Sequence, residues 1–128
     1  MGLFQYAVGL VSADGTREQE VRPWVDTGAL YCQFPSKLLN DLGYEPTGTR
    51  TFALADGSRM DRPFGLVQMH IGAEILPIYC VFGPEDDTMM LLGAIALEAF
   101  SLAADPVAKV LKPTIGMMLT LHAADEQP

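Results

Sequence analysis

The stretch Trp24-Val25-Asp26-Thr27-Gly28-Ala29 sets one carboxylate at the end of an apolar run and follows it at once with turn residues. A charge buried without partners costs far more than one left in water, so Asp26 among Trp24, Val25 and Ala29 needs a physical reason. One reading is chemical: Thr27 and the backbone N–H groups around Gly28 hold the carboxylate, and the missing Cβ of Gly28 lets a partner backbone or a substrate come close. The other reading is a turn, because Asp, Thr and Gly are ordinary turn residues.

Before this stretch, Leu3 to Val11 is rich in strand formers. Ser12 to Thr16 then supplies a turn, and Arg17 to Val25 reads as the returning strand, with Trp24 and Val25 entering the core. After it, Leu30 to Phe34 reads as a strand and Pro35 to Gly43 as a short helix, with Pro35 in its first turn and Gly43 as its C-terminal cap. Thr51 to Leu54 and Arg59 to Phe64 are strands joined by Ala55-Asp56-Gly57-Ser58, an Asp-Gly hairpin signal. Pro63 and Gly65 are expected to interrupt the ladder there. Leu66 to Ile71 and Ile75 to Phe82 form a further hairpin, followed by a polar, solvated loop from Gly83 to Thr88. Met89 to Gly93 reads as a buried strand, Ala94 to Phe100 as about two helical turns, and Ser101 to Ala104 with Val110 to Lys112 as a last hairpin. Thr114 to Leu121 reads as one more apolar strand. The expected architecture is mainly β: a small closed β-barrel with one or two short helices, a single domain over residues 1–121 and a flexible C-terminal tail over 122–128.

The bulk properties narrow the function. With 128 residues, 49% hydrophobic and 19% charged, the chain is a folded domain with a core of its own. The net charge of −8, with eight basic residues scattered from Arg17 to Lys112, argues against nucleic acid as a partner. A basic amphipathic stretch for a membrane surface is missing as well. Met1 to Tyr6 lacks the pattern of a signal peptide, and Tyr6 stands where myristoylation requires Ser or Thr; the expectation is a cytoplasmic protein. Cys32 and Cys80 lie far apart in sequence and outside any C-x-x-C pair, and His70 and His122 have no ligand spacing. Neither a metal nor a cofactor is expected.

Three signals stand in order: a strand ending in Asp26-Thr27-Gly28-Ala29, a hairpin with Ala55-Asp56-Gly57 at its tip, and Leu91-Leu92-Gly93 before a short helix. Together they resemble the retropepsin-like aspartic proteases, over about Tyr6 to Pro113. The closing Leu97-Glu98, Leu102, Asp105-Pro106 and Leu111 are similar to the small bacterial members. The resemblance implies a closed barrel of the retropepsin-like acid protease type with catalytic residues Asp26, Thr27 and Gly28. It also implies a flap over substrate at Ala55, Asp56, Gly57 and Ser58, substrate contact at Ala29, and a supporting strand at Leu91 to Gly93. Leu30, where many relatives carry Ser or Asp, and the charge on Asp56 depart from the family pattern.

Peptide hydrolysis by carboxylates needs one ionised group to take a proton from water and one protonated group to donate to the carbonyl oxygen. The chain holds a single D-T-G, so the resemblance implies a homodimer in which Asp26 meets its own copy on a two-fold axis. The expected activity is that of an aspartic endopeptidase acting on a peptide or protein substrate. The alternative is a non-catalytic dimeric β-barrel that binds protein or peptide. Thr114 to Leu121, too apolar for a free tail, is expected at the dimer interface.

Overall fold

Gly65, Val67, Met69 and Ile71 alternate as buried residues along the second half of one long strand and, with Ile78, Cys80 and Phe82 of its neighbour, build the centre of the core. This hairpin is the spine of the protein, whose structure is a computed structural model describing residues 4–115. In chain order the elements are β1 (Val8–Val11), β2 (Glu18–Val21), β3 (Trp24–Val25), β4 (Cys32–Pro35), α1 (Ser36–Asp41), β5 (Gly48–Ala53), β6 (Arg59–Ile71), β7 (Glu74–Gly83), β8 (Leu91–Leu92), α2 (Ala94–Ala99), β9 (Leu102–Asp105) and β10 (Val110–Pro113). Eight strands form one sheet in the order β2-β1-β6-β7-β4-β8-β3, with β5 laid on the far half of β6, and β9 pairs with β10 apart from it.

The fold is mainly β with two short helices, but the sheet is open where a closed barrel was expected. Among the described residues its two ends approach through Phe4 to Tyr6. Gln5 makes an isolated bridge to Trp24, the Val25 N–H donates to the Phe4 carbonyl at 2.8 Å, and the Tyr6 N–H donates to the Pro23 carbonyl at 3.0 Å. Pro23 has no N–H to return and β3 is only two residues long, so the contact does not grow into a ladder.

Further departures share this local logic. The expected strand from Arg17 to Val25 is split into β2 and β3 around Arg22 and Pro23. Val25 is buried while Trp24, its neighbour in a period-two element, faces outward and is 39% exposed; the core takes one of the pair. Pro63 and Gly65 do not interrupt β6. Pro63 lies where β6 is paired with β5, opposite Thr49, and the ladder to β7 begins at Phe64, so the missing N–H falls outside that second ladder. The strand expected over Met89 to Gly93 contracts to Leu91 and Leu92, with Met89 exposed. Of the strand expected over Thr114 to Leu121, Thr114 and Ile115 are outside any strand and exposed. The remainder, with the expected tail, lies outside the described residues. Among the described residues no helix is long and apolar enough to cross a membrane.

A polar side chain from outside both elements helps tie the spine to the first hairpin. The Tyr44 hydroxyl donates to the Val11 carbonyl at 2.5 Å and accepts the Gln68 N–H at 3.0 Å, at the end of the β1–β6 ladder where Val11 faces Gln68. Burial raises the Tyr44 pKa, opposed in part by the Gln68 N–H. Tyr44→Phe keeps the ring and strands both backbone groups, so urea denaturation is expected to show a loss of about 1–3 kcal/mol; an unchanged midpoint would show that water replaces the hydroxyl without cost.

Candidate active site

Asp26 follows Val25 at the carboxyl end of β3, and its place is set by parallel pairing. Trp24 and Val25 lie beside Leu91 and Leu92, and parallel strands finish side by side, so the turn after β3 and the turn after β8 come together. The Asp26 N–H continues the ladder by donating to the Leu92 carbonyl at 3.0 Å. Beyond it the chain turns: the Ala29 N–H donates to the Asp26 carbonyl at 3.1 Å and the Gly28 N–H to Asp26 Oδ1 at 3.0 Å. The carboxylate is therefore oriented from its own loop. Gly28 serves this directly, because a Cβ there would stand 3.3 Å from Asp26 Oδ1.

The loop is clamped to the helix that follows β8. The N–H groups of a helix's first turn have no partners within the helix; here the Ala94 N–H donates to the Ala29 carbonyl at 2.8 Å and the Ile95 N–H to the Leu30 carbonyl at 3.0 Å. Gly93 makes the clamp sterically possible. A Cβ at this position would lie 2.5 Å from the Tyr31 carbonyl oxygen and 2.9 Å from that of Ala29. Beneath the clamp, Cys32 and Cys80 are fully buried neighbours on the parallel pair β4 and β7, and the Gly93 N–H donates to Cys32 Sγ at 3.4 Å. Burial raises the Cys80 thiol pKa, and the contact with Cys80 lowers that of Cys32.

Asp26 is half-buried in the single chain, less secluded than its apolar neighbours suggested, because Trp24 turns outward and Leu30 is 58% exposed. Thr27 and Gly28 are exposed and Ala29 half-buried. A groove of about 720 Å³ opens beside them, walled on one side by Gly28, Ala29, Leu30 and Tyr31 and on the other by the β5–β6 arm. The Tyr31 and Phe52 rings meet edge to face, with centroids 6.1 Å apart, joining loop to arm.

The Asp-Gly turn at the end of the arm forms as expected. The Gly57 N–H donates to the Leu54 carbonyl at 2.9 Å, Gly57 adopts a φ of 87°, and the Leu54 N–H donates to the Ser58 carbonyl at 2.8 Å. Asp56 Oδ1 accepts from the Ser58 hydroxyl and N–H at 2.5 and 2.9 Å, and the Ser58 hydroxyl first, then its N–H, lower the Asp56 pKa. Ala55, Asp56, Gly57 and Ser58 are exposed and lie beyond the groove's lining, which reaches Leu54. Of the sequence-predicted site residues, Gly28 and Ala29 thus face the groove, Asp26 and Thr27 sit in the same loop just outside it, and the turn residues stand apart.

The groove also contains residues that the motif did not name: Tyr31, Arg50, Phe52, Met60, Arg62 and Asp87. For the arm a signal was present. Once an Asp-Gly turn sets the register, period-two alternation puts Arg50 opposite Arg62 and Phe52 opposite Met60 on one face. Asp87 had none, since its loop folds inward through the Gln33 side chain, whose Nε2 donates to Asp87 Oδ2 at 3.4 Å.

Neither a protein-family model nor a curated protein matches the chain. Among solved structures, the crystal structure of a retropepsin-like aspartic protease from Rickettsia conorii is 23% identical, covering 85% of this chain and 89% of that one at a TM-score of 0.57. A Legionella pneumophila protein of unknown function is 16% identical, covering 81% of this chain and 92% of its own at a TM-score of 0.49. The likeness to the first is one of fold: the chain has a retropepsin-like architecture.

The clamp makes a firm prediction. Gly93→Ala inserts a methyl group against two backbone carbonyls, which cannot swing away as a side chain tip could. The substitution should cost about 1–3 kcal/mol in chemical denaturation. A variant as stable as the parent would mean that loop and helix are not locked together as described.

Proposed function

We propose that the protein is an aspartic endopeptidase, active as a homodimer in which two Asp26 carboxyls share one site. The observation that carries the reading is the Asp26 loop itself. A D-T-G-A turn at the end of β3 is held by the Leu92 carbonyl and the first turn of α2, on a fold similar to a retropepsin-like protease.

One chain supplies one such carboxylate, and the chemistry needs two. Carboxyl groups about 3 Å apart cannot both ionise, so the pair retains one proton and provides a base and an acid together. Water lying between them gives a proton to the ionised carboxyl as its oxygen attacks the scissile carbonyl carbon. The protonated carboxyl donates to the carbonyl oxygen, forming a tetrahedral intermediate. When the C–N bond breaks, the departing nitrogen takes the proton from one carboxyl while a hydroxyl of the intermediate gives its proton to the other and the carbonyl re-forms, so the pair returns to its starting state. In this reading Thr27, exposed in the single chain, meets the partner loop. Substrate runs extended along the groove, with the arm's turn from Ala55 to Ser58 acting as a flap, in the manner of a peptide added to strand edges.

A second reading, a dimeric peptide-binding module without catalysis, draws on the Gly28 N–H bond to Asp26 Oδ1, which also serves a purely structural turn. Incubation of the wild type and Asp26→Asn with an unfolded protein separates the two. The protease reading expects cuts by the wild type alone from two equally folded chains, and specific activity that falls on dilution as dimers dissociate. Equal cutting by both chains, or hydrolysis by a monomer at micromolar concentration, would overturn it. Peptide binding by both chains without any cutting would establish the binding module.

A further inference from the structure

The β5–β6 arm carries an unusual charge arrangement. Of the arginines at positions 17, 22, 50, 59 and 62, the last three fall on this arm in a chain whose net charge is −8. Arg50 and Arg62 are register partners, next along the arm to the Phe52–Met60 pair, and all four residues line the groove. Like charges directly across an antiparallel pair repel. Among the described residues no ion pair relieves either guanidinium; the salt bridges join Lys37 to Asp41, His70 to Glu18 and Lys112 to Asp105.

Among the described residues, the one acidic residue lining the groove is already engaged: Asp87 Oδ1 accepts the Met89 N–H at 2.8 Å and Oδ2 accepts from Gln33. Arg50 Cζ lies 4.4 Å from the centroid of the Phe64 ring. Stacking of this kind orients a guanidinium while leaving its in-plane N–H donors to other partners. The groove therefore presents two donor-rich cations, one of them braced, in an otherwise largely apolar cleft.

We propose that this arm forms a specificity subsite for a single acidic side chain, Asp or Glu, of an extended peptide. The carboxylate lies between Arg50 and Arg62, and its methylene stem lies against Phe52 and Met60. Charge complementarity selects the occupant: an incoming carboxylate relieves the Arg–Arg repulsion and makes charge-assisted hydrogen bonds. The net charge of −8 opposes a polyacidic ligand, so the preferred peptide carries one acidic residue in an uncharged sequence. As a statement about substrate selection this rests on the protease reading, whereas peptide binding tests it without any turnover.

The probes are two pools of hexapeptides, matched and otherwise uncharged, one containing a single Glu and the other a single Gln. Binding to the full Asp26→Asn chain is measured by competition against a fluorescent peptide at low salt. The Glu pool should bind about tenfold more tightly, and the preference should fall as salt screens it. Arg50→Gln combined with Arg62→Gln should abolish the preference without weakening the Gln pool, and the paired Lys variant should retain part of it. Circular dichroism of each variant verifies the fold. Equal binding of the two pools, or a preference intact in the paired Gln variant, overturns the subsite. A Glu preference in a chain whose wild type cuts nothing supports the subsite and removes the protease reading; cutting without any Glu preference does the reverse.

Discussion

The parallel pairing of β3 with β8 is the constraint on which the rest of the site depends. Each strand contributes only two residues, too few for a ladder to stand alone, and the arrangement is completed by groups on both sides of it. Val25 and Leu92 anchor the pair in the core. The Asp26 N–H extends the ladder by one bond, and the first N–H groups of α2 take the carbonyls of Ala29 and Leu30. A turn carrying a carboxylate is thereby fixed from outside at three backbone positions, Asp26, Ala29 and Leu30, while the Gly28 N–H holds the carboxylate from within. Only glycine at position 93 allows this, because the Tyr31 carbonyl passes within 2.5 Å of where a Cβ would be.

Rigidity on one wall of the groove is matched by reach on the other. β6 is thirteen residues long; its second half is locked into the core through β7, while its first half extends with β5 as an arm beside the Asp26 loop. The Tyr31–Phe52 contact couples the two walls. Under the protease reading the fixed loop supplies the pre-organised carboxylate and the arm the side chains that meet the substrate, a division suited to precise chemistry with adjustable recognition. In the proposed enzyme the second carboxylate comes from the partner copy, so neither wall suffices within one chain.

Much of this was legible in the residues. The Asp-Gly turn, the Gly43 stop after α1 and the Leu91-Leu92-Gly93 sequence before α2 signalled their elements because their causes are local: a positive φ at Gly57 and at Gly43, and propensity. The errors arose where neighbours in space decided. Trp24 and Val25 both read as core residues, and pairing with Leu91 and Leu92 puts Val25 alone inside. Pro63 looked like a strand breaker until the two ladders of β6 proved to meet beside it. Closure of the sheet failed at Pro23, a residue whose missing N–H matters only because Phe4 to Tyr6 lies alongside. In the site, the D-T-G loop was evident from sequence, but the arginine pair was not singled out, because its meaning depends on the groove that the loop and arm enclose.

Central to the functional proposal is that two copies of Asp26 act as one unit, and subunit mixing tests this most directly. Wild type and Asp26→Asn are combined at constant total concentration, allowed to exchange subunits, and assayed against one peptide. If both carboxyls are required, activity follows the square of the wild-type fraction and falls to about one quarter in an equal mixture, since only that share of two-fold dimers is intact. Activity falling in direct proportion, to about one half in the same mixture, would show that each chain acts on its own, and about three quarters would show that one Asp26 per dimer suffices; either result would contradict a site that needs both carboxyls.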